Sequence, residues 1–401
     1  MNPPAPAGVG SAAPSLIPAL ALLWLAGMAL RVTIIAVPPV IPLMHDDLHM
    51  TETQVGILIS LPLVMFALAA IPGSLLVARF GAYRTLTVGM LVTVAASAAR
   101  SGAPNLLLLY AATAVMGFGI AIMQPAVPTL VKQWAPHRIG LATALNTNGI
   151  MIAIAAAAAL TIPVVLPLVG NSWRLDFLVW TVPALVPALL FLAFMPRWGV
   201  HAPSTQTEAA RRWWPDWKNP LIWLLGIVFG CNNASYYSTN AFVPDYLTSL
   251  GRADLIGPTI GFLNICQLLA SLVLLATAER LQRRAWPYLV FGPLVLVGAA
   301  GIVLGNGYWI VAGAGLLGFS LSITFVVTMA LPAVLSPPDD IHRVAAGMFA
   351  ISFTIAVIVP ILCGALWDLT GIPWTAFLLV GVSAITLTTL GFVLSLRHRP
   401  A

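Results

Sequence analysis

Arg31 stands inside "ALRVTIIAVPPVIP", with an apolar run from Leu16 to Leu30 before it and another from Val32 to Met44 after it. A charge at such depth in lipid costs at least about 2.5–3.5 kcal/mol, and an arginine does not deprotonate to escape that cost. The residue therefore marks a partner or a task. Its chemistry is anion recognition, because the guanidinium is a fixed charge that offers donors in one plane. The plainer alternative is an arginine satisfied by backbone carbonyls that only orders the helices. A position about 15 residues from either end of the run is deep for snorkelling, which favours the anion reading.

A second group of polar residues sits at similar depth. "NNASYYSTN" brings Asn232, Asn233, Tyr236, Tyr237 and Asn240 together, and all but Ala234 of that run are polar. Amides and phenols supply donors, and tyrosine rings supply walls for a small planar solute. Gln124, Asn264, Gln267, Ser320, Ser322 and Thr324 add further polar groups. In lipid such groups either join helices or line a cavity. Asn146 and Asn148 fall on opposite sides of a helix, so one at most serves a site, and Asn148 is the choice. The candidate substrate-binding set is Arg31, Asn232, Asn233, Tyr236, Tyr237, Gln267, Gln124 and Asn148.

The 12 acids, Asp176, Asp245, Glu279 and Asp368 among them, and the six histidines all fall in loops or at helix ends. Arg31 thus has no acidic partner at its depth, and no side chain there is a ready proton carrier. One fixed positive charge suits a small monoanion better than a dianion, which would leave net negative charge buried. "MHDDLHM", Met44–Met50, offers metal-ligand types. A loop with helix caps explains it more simply, since "TETQ" at 51–54 resembles a capping box. Cys231, Cys266 and Cys363 lie in apolar spans without metal spacing. No nucleophile elbow, phosphate loop or HExxH motif appears, so neither an enzyme nor a cofactor site is expected.

These groups need a scaffold, and composition names it. The 401 residues are 60% hydrophobic and 7% charged, where soluble domains are about a quarter charged. Twelve stretches reach the roughly 20 apolar residues that a spanning helix needs. They are 16–44, 53–78, 84–104, 105–131, 139–168, 175–196, 219–247, 255–277, 285–304, 308–334, 344–367 and 373–396. With the N-terminus inside, 14 of the 18 basic residues fall in cytoplasmic segments, while Arg100, Arg174 and Arg252 fall in outer loops. That asymmetry places both termini in the cytoplasm. The basic residues sit in short inter-span loops, which does not suggest nucleic acid.

A flexible tail at 1–15 leads into a six-helix half at 16–196. A central cytoplasmic loop at 197–218 separates it from a second half at 219–401. The halves echo each other at an offset near 200–205 residues. Gly117-Phe118 recurs at Gly318-Phe319, His137-Arg138 at His342-Arg343, and "ARFGAYR" as "AERLQRR". This is a parallel repeat about an axis along the membrane normal.

Two six-helix halves, a central loop and basic 2–3 and 8–9 loops resemble the major facilitator superfamily. Its 2–3 loop signature has the form G-x-x-x-D-R-x-G-R-R. Arg79 and Gly81 match it, Ser74 and Ala78 replace the first glycine and the acid, and Arg84 remains of the basic pair. Arg79, Gly81 and Arg84 are therefore the candidate gating loop, without its usual acid. Within the superfamily the chain is similar to the cyanate and 2-nitroimidazole transporter (CynX/NimT) family. "ALRVTIIAVPPVIP", "IMQPAVPTLVK" at 122–132, "NSWRLDFLVWTVPAL" at 171–185 and the Pro244 region carry that likeness. Where some members hold a Gly-Glu pair, this chain reads Ala153-Ile154.

The resemblance implies an all-α membrane transporter of the major facilitator fold, monomeric, in a bacterial inner membrane. It would move cyanate or another small monoanion by alternating access. The alternative it leaves open is an exporter of neutral or weakly basic aromatic compounds such as 2-nitroimidazoles, with Arg31 structural.

Overall fold

The computed structural model describes residues 15–50, 52–198, 212–281, 284 and 286–396. The tail at 1–14, Thr51 of the capping box, the side chains of His45, Asp46 and Glu52, the loop at 199–211 and Arg283 lie outside the described residues. Every regular element among the described residues is helical.

The first spanning stretch is not one helix. It runs as α1 (Leu16–Ala29), α2 (Val32–Ile35), a 3-10 turn (Pro38–Val40) and α3 (Ile41–Leu48), and Arg31 stands at the break between α1 and α2. The prolines account for the second interruption. Pro38 has no N–H to give to the Ile34 carbonyl. Val37 N–H turns to Ile34 O instead, at 3.2 Å, and the Thr33 carbonyl is left without its helical donor. Arg100 Nη1 takes that carbonyl at 3.0 Å.

α4 (Glu52–Phe80) and α5 (Ala82–Ser101) meet at Gly81, whose φ of +83° suits glycine. α6 (Leu106–Met123) begins at Asn105, whose side chain accepts from Leu108 N–H. Gln124-Pro125 divides α6 from α7 (Ala126–Trp134), so the fourth span is broken as well. α8 (Ile139–Leu160) passes into a π turn (Thr161–Val165) and α9 (Leu166–Leu168), and α10 (Trp173–Trp198) follows. The second part of the chain comprises α11 (Pro220–Ser249), α12 (Ile256–Leu281), α13 (Trp286–Leu304), α14 (Tyr308–Leu335), α15 (Ile341–Thr370) and α16 (Leu378–Leu396).

Eleven helical stretches among the described residues are long and apolar enough to cross a membrane. α11 is 30 residues long but is not one of them. The amides, hydroxyls and tyrosines from Asn232 to Asn240 dilute its apolar character, and the same run gives it its place in the site.

α5 packs on α4's neighbour α6 and on α10, and α1 packs on α8. In the second part α11 packs on α15 and α16, and α14 on α12 and α13. Contacts between the two parts run through α4 with α15 and α8 with α12. They are tight at the end that carries Arg79, Lys132, Arg138 and Arg280, called the basic end below. There Leu141 N–H donates to Glu279 Oε1 at 3.0 Å, and Ser74 Oγ donates to Trp213 O at 2.6 Å. His342 Nε2 lies 3.3 Å from Arg212 O, and Arg343 Nε donates to Trp214 O at 2.9 Å.

Candidate functional site

The break at Arg31 turns its side chain out of the helix line and into a cavity between the two parts of the chain. Ile35, Ile150, Met151, Ile154, Asn232, Asn233, Tyr236, Tyr237, Gln267, Leu321, Ser322 and Phe325 complete the lining. The cavity holds about 70 Å³, room for a small solute and little more. Arg31 Nη1 donates to Tyr237 Oη at 3.4 Å, and the guanidinium lies 5.3 Å from the Phe66 ring centroid. Among the described residues no carboxylate pairs with it.

Six of the eight candidate residues, Arg31, Asn232, Asn233, Tyr236, Tyr237 and Gln267, line this one cavity. Their engagement differs. Asn232 Nδ2 donates to Leu321 O and Thr324 Oγ1, and Asn233 Nδ2 to Ser352 Oγ, so these amides also tie helices together. Tyr236 Oη donates to Asn264 Oδ1 at 3.0 Å, and its ring meets that of Tyr237 edge-on at 5.4 Å. The Gln267 side chain is buried and makes no hydrogen bond to other described residues. Among the described residues it is the one amide of this lining whose side chain is not tied to a neighbouring helix.

Gln124 falls one storey away, toward the basic end. It lines a smaller cavity of about 20 Å³ that shares Arg31, Ile150 and Phe325 with the first. The rest of that lining is mostly aromatic. Phe66 and Phe353 meet at 5.0 Å, Phe229 and Phe325 at 4.8 Å, and Phe229 and Phe349 at 5.6 Å. These rings form an apolar floor beneath the guanidinium, a feature not read from the sequence because the phenylalanines come from four separate helices.

Asn148 is not in either lining. Its Oδ1 accepts from Trp24 Nε1 at 3.0 Å and its Nδ2 donates to Ser271 Oγ at 3.1 Å, so it bridges α1, α8 and α12. Asn146 likewise donates to Leu23 O. Arg79 and Arg84 are exposed on either side of Gly81, at the basic end and far from the cavity.

One charged residue differs from its sequence placement, and a second is more deeply buried than a helix end alone implies. Arg100 is not in an outer loop but in the last turn of α5, with no exposed surface. Its guanidinium stacks 4.4 Å over Phe177, and Nη1 reaches Thr33 O. Asp176 is at a helix end as expected, in the first turn of α10, yet it too has no exposed surface. Burial of this kind depends on which neighbours close over a helix end, and local sequence does not carry it. Asp47 of "MHDDLHM" pairs with Arg174 and accepts from Trp173 Nε1 at 3.1 Å. Those two donors, Arg174 first, hold its carboxyl below the usual range.

The family model described as Major Facilitator Superfamily matches residues 23–307. The 2-nitroimidazole transporter of Escherichia coli (strain K12) is 28% identical over 366 residues, covering 89% of this chain and 90% of that protein. The cyanate transport protein CynX of the same organism is 26% identical over 375 residues, covering 92% of this chain and 96% of that protein. A crystal structure of a Major Facilitator Superfamily transporter, FucP, in the outward conformation aligns with a TM-score of 0.76 at 13% identity, over 94% of this chain and 98% of that one.

Proposed function

The chain belongs to the Major Facilitator Superfamily, whose members are transporters and not enzymes, and from that premise we propose that it carries a small monoanion across the membrane. The observation that carries this reading is Arg31: a guanidinium on the wall of a small cavity, without a carboxylate partner among the described residues. A charge so placed is best satisfied by an intermittent anionic partner. Cyanate, or an inorganic or organic anion of similar size, fits both the single charge and the volume. Tyr237 and Gln267 would orient it, and Asn232, Asn233 and Tyr236 would hold the wall they share with it.

Transport would follow from the two parts of the chain, 16–196 and 219–401, rocking about the cavity. The basic end would face the cytoplasm by the positive-inside rule, with both termini there. The aromatic floor and the bonds at that end would close the cavity from the cytoplasm in this state, leaving access from outside. The protein would act as a monomer in a bacterial inner membrane.

A second reading is favoured by the edge-on Tyr236–Tyr237 pair and the phenylalanine floor. They suit a flat aromatic solute such as a 2-nitroimidazole, with Arg31 in a structural role. One experiment separates the two: uptake of labelled cyanate into proteoliposomes, wild type against Arg31→Gln, with small anions and a nitroimidazole as competitors. Loss of uptake in a folded variant, with monoanions competing, supports the first reading. Nitroimidazole transport indifferent to Arg31 supports the second.

A further inference from the structure

Asp176 lies outside both cavities, and neither of its carboxylate oxygens has a hydrogen-bond donor among the described residues. Trp180, one turn along α10, turns its indole N–H toward both this carboxyl and Thr161 Oγ1, and the well-formed bond, 2.9 Å, goes to Thr161. The elements packed most closely on α10 are α1, α2, α5 and the π turn, and α3 reaches its first turn through Asp47, which accepts from Trp173 and pairs with Arg174. α1, α2 and the π turn contain no ionisable residue. α5 contributes Tyr83, Arg84 and Arg100. Tyr83 Oη donates to Phe191 O and Arg84 is exposed at the basic end, while Arg100 gives Nη1 to Thr33 O and Met116 Sδ and stacks on the Phe177 ring, its Nε and Nη2 having no partner among the described residues. On α10 itself, Arg174 turns to Asp47. Among the described residues an ionised carboxylate at this place would be a buried charge with at most a shared indole N–H and no counter-ion, an arrangement folded proteins avoid by keeping the group neutral.

The irregular parts of the first bundle gather around this acid. The 3-10 turn Pro38–Val40 touches the π turn Thr161–Val165, and the π turn touches α10, to which the Trp180–Thr161 bond ties it. α2, which begins just after Arg31, packs on α10 directly. Helix breaks and π turns are where helical backbones rearrange and where functional sites concentrate. A continuous path of contacts thus joins the helix break that carries Arg31 to the one buried acid lacking a donor among the described residues.

We propose that Asp176 is a proton-binding site, loaded in this state, whose release of the proton accompanies movement of the segment that carries Arg31. The proton would come from water on one side of the membrane and leave to water on the other. A carboxyl O–H bond forms and later breaks, and nothing is oxidised or reduced. As a coupling step the proposal rests on the transport reading above. As a binding site it does not.

The test has two arms on the full-length protein. Infrared spectroscopy of the purified transporter at neutral pH should show the C=O stretch of a protonated carboxyl that Asp176→Asn lacks and that Asp176→Glu moves. Coincident wild-type and Asp176→Asn spectra would overturn the proposal. Asn mimics the neutral acid, so this variant should purify as a single folded species. Should it not, the moved band in Asp176→Glu decides. In proteoliposomes, Asp176→Asn should keep exchange of labelled for unlabelled cyanate within about twofold of wild type while losing accumulation driven by an inward proton gradient. Undiminished accumulation in that variant would overturn the coupling role. A wild type that moves no anion yet shows the Asp176 band would sink the transport reading and leave the proton site standing.

Discussion

At the scale of single residues, the anion reading proposed for the cavity rests on the energetics of Arg31. Removing one partner of a buried charged contact typically costs about 2–5 kcal/mol, and every 1.4 kcal/mol is tenfold in affinity. Arg31→Gln should therefore weaken apparent cyanate affinity by roughly 30-fold or more, read as the half-saturating concentration for uptake. Arg31→Lys should recover only part of it, because an ammonium lacks the planar donor fork. Tyr237→Phe removes a single long contact to the guanidinium, 3.4 Å, and should cost only a few-fold. A loss as large as that of Arg31→Gln would mean that the tyrosine hydroxyl, not the charge, is the main ligand. Asp47 makes a different kind of prediction. Its carboxyl is held below the ordinary value of 3.8 by Arg174. A lowered value contributes stability above the unfolded group's range, and that stability disappears as pH falls through the lowered value. The pair is 36% and 44% exposed, so the gain is small. Asp47→Asn should lower the melting temperature by about 1–2 °C at pH 7, with the difference from wild type vanishing once the pH has fallen through that lowered value. The place of Arg31 and of the amides Asn232 and Asn233 on one cavity was legible from residue type and depth. Asp176 and Asn148 were not, because the sequence does not show which polar side chain meets a partner across a helix interface.

At the scale of elements, irregularity shapes the candidate site. Prolines and a polar run were visible in the sequence, but their consequences needed the packing: a span that breaks at its only charge, a fourth span broken at Gln124-Pro125, and an α11 too polar to pass for an ordinary membrane helix. The basic end offers an instance of asymmetry between the repeats. At an offset of 201 residues, the acid missing at Ala78 is present as Glu279, where its Oε1 accepts from Leu141 N–H in the first turn of α8. First-turn N–H groups have no helical partner, and a carboxylate there also meets the positive end of the helix dipole. Glu279→Ala should thus remove about 1 kcal/mol from the state closed at the basic end, a roughly fivefold shift in population. Spin-label distances between the basic ends of α8 and α12 should broaden toward longer values in the variant. An unchanged distribution would show that this bond does not hold the end shut.

At the scale of the whole molecule, the state described has its two parts pressed together at the basic end, and one glycine sets how closely they approach. A Cβ at Gly140 would lie 2.8 Å from the backbone carbonyl carbon of Ala278 and from the backbone nitrogen of Glu279. Backbone at that distance cannot step aside as a flexible side chain can, so a larger residue must push α8 and α12 apart. The aromatic floor would then lose its lateral support, because α8 and α14 also supply Ile150 and Phe325 to the cavity. Parting α8 from α12 would relieve the clash, so Gly140→Val should be tolerated in folding but should bias the molecule toward a form open at the basic end. Ser322 on the cavity wall provides the reporter. In a background without the three native cysteines, Ser322→Cys should react with an impermeant thiol reagent from the opposite face when position 140 is glycine. With valine there, it should react from the basic face, and net transport should fall because one of the two states is no longer reached. If labelling keeps its sidedness with valine in place, the two parts separate by some route other than parting α8 from α12, and the rocking motion proposed for this chain would have to be redrawn around α4 and α15.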